Sequence, residues 1–193
     1  MRVFTKVLIA CAAPLALGGA ALHITPTVVL HKEADVIRST LPTAKQFFLH
    51  KVTIGKADLA RIKQEDDFEP DDPEVKFYYG NDANGALAGV VVFPQVNTQH
   101  GPWEVGLTIG PDGTVTNAIV TKATVETKPW TEKAIKAHLM DHFRGMRAGD
   151  DVTRALQSLD RRALGKMPYY AAEKVTEAVG RGLTLYQVLY KTP

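Results

Sequence analysis

Hydrophobic and polar residues follow three successive patterns along the chain. Residues 7–22 contain no charged side chain, and a less apolar extension continues to residue 30. Arg2 and Lys6 precede this segment, and His31, Lys32 and Glu33 follow it. A stretch of about 20 apolar residues is the length that one bilayer crossing needs. Further on, hydrophobic residues alternate with a period of two, and after residue 130 with a period of three to four. The patterns predict a membrane segment, then strands, then helices.

The period-two region predicts an antiparallel sheet with one half-buried face. Its strands are expected at residues 75–79, 86–92, 103–109 and 114–120, and residues 47–52 fit either a strand or a short helix. Asp112-Gly113, between the last two runs, is a typical hairpin turn. A second turn is expected at residues 80–85.

Helices are predicted on both sides of this sheet. Residues 32–40 form a weakly amphipathic helix that Pro42 ends, and residues 57–63 form a further helical turn. A helix is predicted over residues 131–146, where apolar residues recur at helical spacing: Ile135, Leu139 and Phe143. A second helix is predicted over residues 151–163, and Pro168 begins a third. The expected class is α+β: an N-terminal transmembrane helix, residues 1–30, then one domain, residues 31–193, whose antiparallel sheet is flanked by helices.

The apolar N-terminus allows three interpretations. A cleaved signal peptide would have this basic start and a small-residue site near Gly18-Gly19-Ala20-Ala21. A lipoprotein signal would use Cys11, although the apolar run before it is short. An uncleaved anchor is favoured, and the positive charges before it place the domain outside the cytoplasm.

Charge and cysteine content limit the binding partners and the kinds of site that the domain can have. The net charge is +2, but residues 65–74 hold seven of the 21 acidic residues, so the rest of the chain is basic by nine charges. Such a surface suits anionic lipid, an acidic partner or phosphate. The basic residues are not clustered, and nucleic acid is not expected as a partner of an exported domain. Because Cys11 is the only cysteine, the domain has no disulfide, thiolate metal site or c-type haem attachment.

Most catalytic motifs are missing from the chain. No P-loop, dinucleotide fingerprint or nucleophile elbow occurs, and no catalytic residue is predicted. His138 and His142 have a metal-ligand spacing but lack the zinc-protease glutamate, so two half-exposed imidazoles beside an apolar stripe are the favoured interpretation. The acidic run lacks the EF-hand order and is expected to be a solvated loop.

One local string suggests a binding site. Lys166, Met167, Tyr169 and Tyr170 surround Pro168 at the expected start of a helix. Free N–H groups at a helix start suit a phosphate, Lys166 adds a full charge, and a tyrosine stacks on a flat ring. An ordinary helix start with aromatic core residues is the competing interpretation.

Taken in order, these features resemble the membrane-anchored, periplasmic FMN-binding domain of the Rnf and Nqr electron-transport complexes. The resemblance is carried by a helix ending in Leu41-Pro42, the segment His100-Gly101-Pro102-Trp103-Glu104 and the Asp112-Gly113 turn. Glu126-Thr127-Lys128-Pro129 partly matches the family's Glu-Thr-Pro-Gly loop, and Phe143-Arg144-Gly145 matches its Phe-x-Gly.

The family's decisive motif is Ser-Gly-Ala-Thr, whose threonine carries FMN through a phosphoester. It aligns with Lys166-Met167-Pro168-Tyr169, and no serine or threonine lies between Ser158 and Thr176. The resemblance therefore implies the fold without covalent flavin. It also implies a cleft between three places: the helix start with Lys166, Met167, Tyr169 and Tyr170; Trp103; and the Glu126-Thr127 loop.

Two functions follow from the resemblance. One is an accessory, structural subunit of a membrane electron-transfer complex, with other subunits and the membrane as partners. The other is an electron carrier that holds FMN non-covalently.

Overall fold

The computed structural model describes residues 25–191, which form a sheet with helices on both faces. The strands are β1 (Thr27–Val29), β2 (Gln46–Thr53), β3 (Glu74–Asn81), β4 (Leu87–Val92), β5 (Gln95–Thr98), β6 (Gly101–Ile109) and β7 (Val115–Thr124). The helices are α1 (Glu33–Thr40), α2 (Lys56–Asp66), α3 (Lys128–Lys136), α4 (Arg154–Gln157), α5 (Arg161–Leu164) and α6 (Lys166–Leu185). A 3₁₀ segment (Leu139–Phe143) follows α3, and a π segment (Tyr186–Tyr190) follows α6.

Within the described residues, all strand pairs are antiparallel, in the order β1-β7-β6-β4-β3-β2, with β5 beside β6. The predicted hairpin between β6 and β7 is confirmed: the Gly110 N–H donates to the Thr114 carbonyl at 2.8 Å. Gly113 has a φ of 82°, a conformation that glycine adopts without strain. The α+β class with an antiparallel sheet is therefore confirmed.

The two faces of the sheet carry unequal layers. Helix α6 covers one face, where Val175, Ala178 and Val179 are fully buried in the main core. Helix α1 covers part of the other face with Val36 and Ile37. Gly106 of β6 lets α1 approach closely, since a Cβ there would come within 2.8 Å of Val36. The thick layer on the α6 face supplies most of the core.

The N-terminal boundary differs from the sequence prediction. Most of the predicted anchor, together with Cys11 and the small-residue site at residues 18–21, lies outside the described residues. Residues 27–29, assigned to the same anchor, form strand β1, which pairs with Lys122–Thr124 of β7. Across residues 25–191, no helix combines the length and apolarity needed to cross a membrane.

The helix predicted over residues 131–146 is also divided. It starts earlier, ends at Lys136, and is followed by His138 at a φ of 64°. The left-handed turn separates α3 from the 3₁₀ segment, so His138 and His142 do not share one helical face. His138 instead contacts Asp141 at 3.1 Å with its ring largely exposed. The helix predicted over residues 151–163 is likewise two short helices, α4 and α5.

Candidate functional site

Four ring side chains meet beside the first turn of α6. Tyr170 of α6 contacts the rings of Trp103 and His100, each with ring centroids 5.9 Å apart, and His100 contacts Trp130 at 5.3 Å. All three contacts are edge-to-face, the arrangement that aromatic quadrupoles favour. We call Trp103, Tyr170, His100 and Trp130 the aromatic cluster.

Trp103 is the fixed member of this cluster. It points from β6 into the main core and is fully buried. Its indole N–H donates to the Thr131 hydroxyl of α3 at 2.9 Å, and that hydroxyl donates to the Thr127 carbonyl at 2.9 Å. The only polar atom of the indole is thus satisfied within the protein.

The Glu126-Thr127 loop borders the cluster and is bonded inwards. Thr127 is fully buried, and its hydroxyl accepts from the Thr124 N–H at 2.9 Å. Glu126 contacts Nδ1 of His100 at 3.2 Å and accepts from the Thr25 hydroxyl at 3.5 Å. The loop therefore directs its polar groups towards the cluster and its own backbone.

The start of α6 is more basic than the sequence string indicated. The helix begins at Lys166, so Pro168 is its third residue rather than its first as predicted. Gly165 precedes it at a φ of 92°, and a Cβ at Gly165 would lie 4.0 Å from Nζ of Lys133. The Arg161 guanidinium lies 4.9 Å above the ring of Tyr169.

The predicted site residues are thus only partly brought together. Trp103 and Tyr170 are in direct contact, and His100 links Tyr170 to Glu126. Tyr169 lies under Arg161 instead, Lys166 is exposed, and Met167 is half-buried. The sequence predicted no role for His100, Trp130, Arg161 or Lys133. Of these, His100 has a sequence signal, because it begins the segment that ends in Trp103-Glu104.

The aromatic cluster does not fit an isoalloxazine ring between its members. A flat ring needs a slot between parallel walls, whereas these rings contact one another edge-to-face at 5.3 to 5.9 Å. The ring of Tyr169 likewise lies against the guanidinium of Arg161. The packing of these side chains therefore leaves no slot for a flat ring between them.

A cleft of about 650 Å³ lies elsewhere, at the point where the sheet splits. Strands β4 and β5 both pair with β6, and the register continues unchanged from one to the other: Val92 lies opposite Leu107, and Gln95 lies opposite Glu104. Strand β3 follows β4 only as far as Phe77 opposite Val92. Pro94 follows, and its carbonyl accepts from the Val105 N–H of β6 at 3.1 Å, so the backbone of this residue bonds towards β6 and not towards β3. The cleft opens between the diverging strands.

Aromatic, proline and acidic side chains line this cleft. Tyr78 and Phe93 contact edge-to-face at 5.8 Å on one wall, and Arg181 lies 5.0 Å above the ring of Phe68 on the other. The acidic loop at its rim is held to β5 where Asn97 donates to Asp71 at 2.7 Å. Burial raises the pKa of Tyr78, and the carboxylate of Glu33 raises it further.

A buried carboxylate forms the inner end of the cleft. Glu104 accepts from Lys122 at 2.8 Å and from the Thr121 hydroxyl at 2.8 Å, and Lys122 also donates to Glu33 at 3.1 Å. Burial by itself lowers the pKa of Lys122. The hydrogen bonds and charges of Glu104 and Glu33 outweigh burial, so the pKa of that ammonium lies above its usual value. One cation thus bridges two carboxylates.

No family model, curated protein or solved structure matches the chain.

Proposed function

We propose that this chain is an accessory subunit of a membrane electron-transfer complex, with an FMN-binding-like fold and without covalent flavin. It is tethered by its N-terminal apolar segment at the inner membrane, with the folded region on the periplasmic side. Its role is to contact other subunits rather than to catalyse a reaction.

One observation carries this proposal. In the family that the chain resembles, flavin is attached at the start of the last helix. Here that helix start is lined by the protein's own rings: Tyr170 against Trp103 and His100, and Tyr169 beneath Arg161. A side chain that fills a site and bonds within the protein stabilises the fold but excludes a ligand. The fold and the cofactor are separable properties.

The absence of covalent flavin is tested on the full chain purified from membranes. The denatured band should not fluoresce under ultraviolet light, because Tyr169 replaces the acceptor threonine and its hydroxyl lies further from the backbone. A fluorescent band that survives denaturation would contradict the proposed alignment.

The accessory role is tested by native electrophoresis of solubilised membranes. The chain should co-migrate with redox-active membrane subunits, and its intact mass should show that residues 1–30 are retained. Migration as a free chain would contradict the role as a subunit. A mass that matches cleavage near Ala21, or lipidation at Cys11, would contradict the uncleaved anchor.

A second function, non-covalent FMN binding, is favoured by the charge at the helix start. Arg161, Lys133 and Lys166 all approach the first turn of α6, and a phosphate there would meet free N–H groups and positive charge. Added FMN would then raise the melting temperature by mass action. A shift with the native chain would favour this second function over the accessory role. The accessory role instead expects no shift with the native chain and a shift with Tyr170→Ala, which opens the cluster, but none with the control Phe48→Ala on the edge strand β2.

A further inference from the structure

Strand β2 forms one edge of the sheet and leaves large apolar side chains in solvent. Phe47, Phe48 and Leu49 are 44%, 41% and 47% exposed. They are consecutive, so they project from both faces of the strand. Every other residue of this strand except Val52 is also exposed. Its outer side has no neighbouring strand among residues 25–191, so backbone N–H and C=O groups point outwards from alternate residues of this eight-residue strand.

Neighbouring elements support these side chains from one side only. Phe48 stacks on Tyr79 with ring centroids 5.1 Å apart, and His50 contacts Tyr190 at 6.1 Å. Phe47 and Leu49 lie on the other face, opposite Gly80 and Tyr78 of β3. Long apolar edge strands pair with other chains unless charge, proline or a bulge prevents it, and β2 contains none of these except Lys51.

We propose that β2 pairs antiparallel with β2 of a second copy of this chain, which joins the two sheets edge to edge about a two-fold axis. Such an axis is perpendicular to the sheet and preserves its faces. Directly opposite residues must therefore project from the same face, so each register is centred on a single residue.

Charge selects one of these registers. Centring on Leu49 places Phe47 opposite the second copy's Lys51, Phe48 opposite its His50, and Lys45 opposite its Thr53. Both lysines then face uncharged residues, and each phenylalanine faces a side chain that can lie over a ring.

Other registers are disfavoured. Centring on Phe48 would oppose Lys45 to Lys51, and centring on Lys51 would oppose that residue to itself, and like charges directly opposite destabilise a strand pair. Centring on His50 would place the two phenylalanines opposite Val52 and Thr53, which cannot supply a cation to the rings. The Leu49 register also pairs residues 46–52 with the same residues of the second copy, whereas centres nearer either end of β2 lose part of that overlap.

A second polypeptide strand suits this edge better than a lipid surface. Inserting β2 into a bilayer would bury its unpaired backbone groups where nothing can bond them, at a cost of several kcal/mol per group. A paired strand satisfies those groups and covers Phe47 and Leu49 in the same step. Because the contact is a single strand, the dimer should be weak and concentration-dependent.

The register is tested by disulfide trapping in the full chain, with Cys11→Ser removing the only native cysteine. Opposite residues of antiparallel strands have Cα atoms about 4.5 to 5.5 Å apart, within reach of a disulfide. Leu49→Cys should therefore give a reducible dimer under mild oxidant. Phe48→Cys is the matched control, since its two Cα atoms would be separated by more than about 7 Å and should not close.

Sedimentation at rising concentration supplies the second measurement. The native chain should approach twice its monomer mass, and Leu49→Lys should abolish that increase without altering the melting temperature. Val125→Lys, an equally exposed apolar position, should leave it unchanged. A monomer at every concentration, equal trapping by both cysteines, or binding to uncharged vesicles that Leu49→Lys abolishes would overturn the proposal.

Discussion

The aromatic cluster and the cleft show two outcomes for side chains along the same strand, β6. Trp103 projects from β6 into a filled space where rings, hydroxyls and a loop satisfy one another. One residue later, Glu104 projects to the other face and reaches the inner end of the cleft. The first site is closed by packing, while the second lies where β3 no longer pairs with β4. One strand thus places successive side chains in a packed core and at the end of a cleft.

The largest expected effect on stability comes from removing the buried indole of the aromatic cluster. Trp103→Ala removes a fully buried indole and leaves the Thr131 hydroxyl without its donor. We expect a loss of about 3–5 kcal/mol in the free energy of unfolding, measured by chemical denaturation. Trp103→Phe, which keeps most of the volume, should lose clearly less. Equal losses would mean that the hydrogen bond and not the packing dominates.

A smaller effect is expected at the charged end of the cleft. Glu104→Gln removes the charge of a buried carboxylate and leaves Lys122 paired only with Glu33. Because Lys122 is partly solvated, we expect a loss of about 1–3 kcal/mol, below that of a fully buried pair. Glu33→Gln, at the exposed end of the same network, should cost under about 1 kcal/mol. The reverse order would contradict the assignment of Glu104 as the principal partner.

The wall of the cleft should tolerate truncation better than the cluster does. Phe93→Ala removes a half-buried ring that contacts Tyr78 and lies over Gly106. A loss of about 1–2 kcal/mol is expected, since only part of the ring leaves an apolar environment. A loss equal to that of Trp103→Ala would show that the cleft wall belongs to the core.

The smallest expected effect is a change with pH at the alkaline end. Lys122, Tyr78, Tyr186 and Tyr190 all have raised pKa values in the folded chain. The folded state therefore holds these protons to higher pH than the unfolded state. In the unfolded chain these tyrosines and the lysine have pKa values of about 10. The stability that these groups contribute to the folded state is therefore complete below about pH 10, and it is lost as the pH rises through their higher folded pKa values. Unfolding midpoints should fall above pH 10, and less steeply in Glu104→Gln.

Local patterns were enough for the hairpin and for the helix that Pro42 ends. Strands β6 and β7 flank an Asp-Gly turn, and helix α1 ends at Thr40 just before Leu41-Pro42. Alternation, turn chemistry and proline act over a few residues, so the sequence alone determined these elements. The acidic run was likewise predicted as a loop, and only its first residues extend α2 and its last begins β3.

Contacts between distant parts of the chain determined two elements that local sequence patterns predicted wrongly. The apolar residues 27–29 suited a membrane segment, yet they join β7 nearly a hundred positions away. The periodic run after residue 131 suited one helix, yet His138 turns left-handed and ends it.

The candidate site follows the same division. Tyr170, Trp103 and the Glu126-Thr127 loop were identified from short motifs, whereas His100 and Trp130, which complete the cluster, were not. The strand predicted over residues 86–92 ended before Pro94, and β5, which follows it, was not predicted. Sequence periodicity records which face of an element is apolar, but only the tertiary structure determines which distant face it meets and where a strand loses its neighbour. The physical reason is that burial energy depends on the contacting surface and not on the element alone.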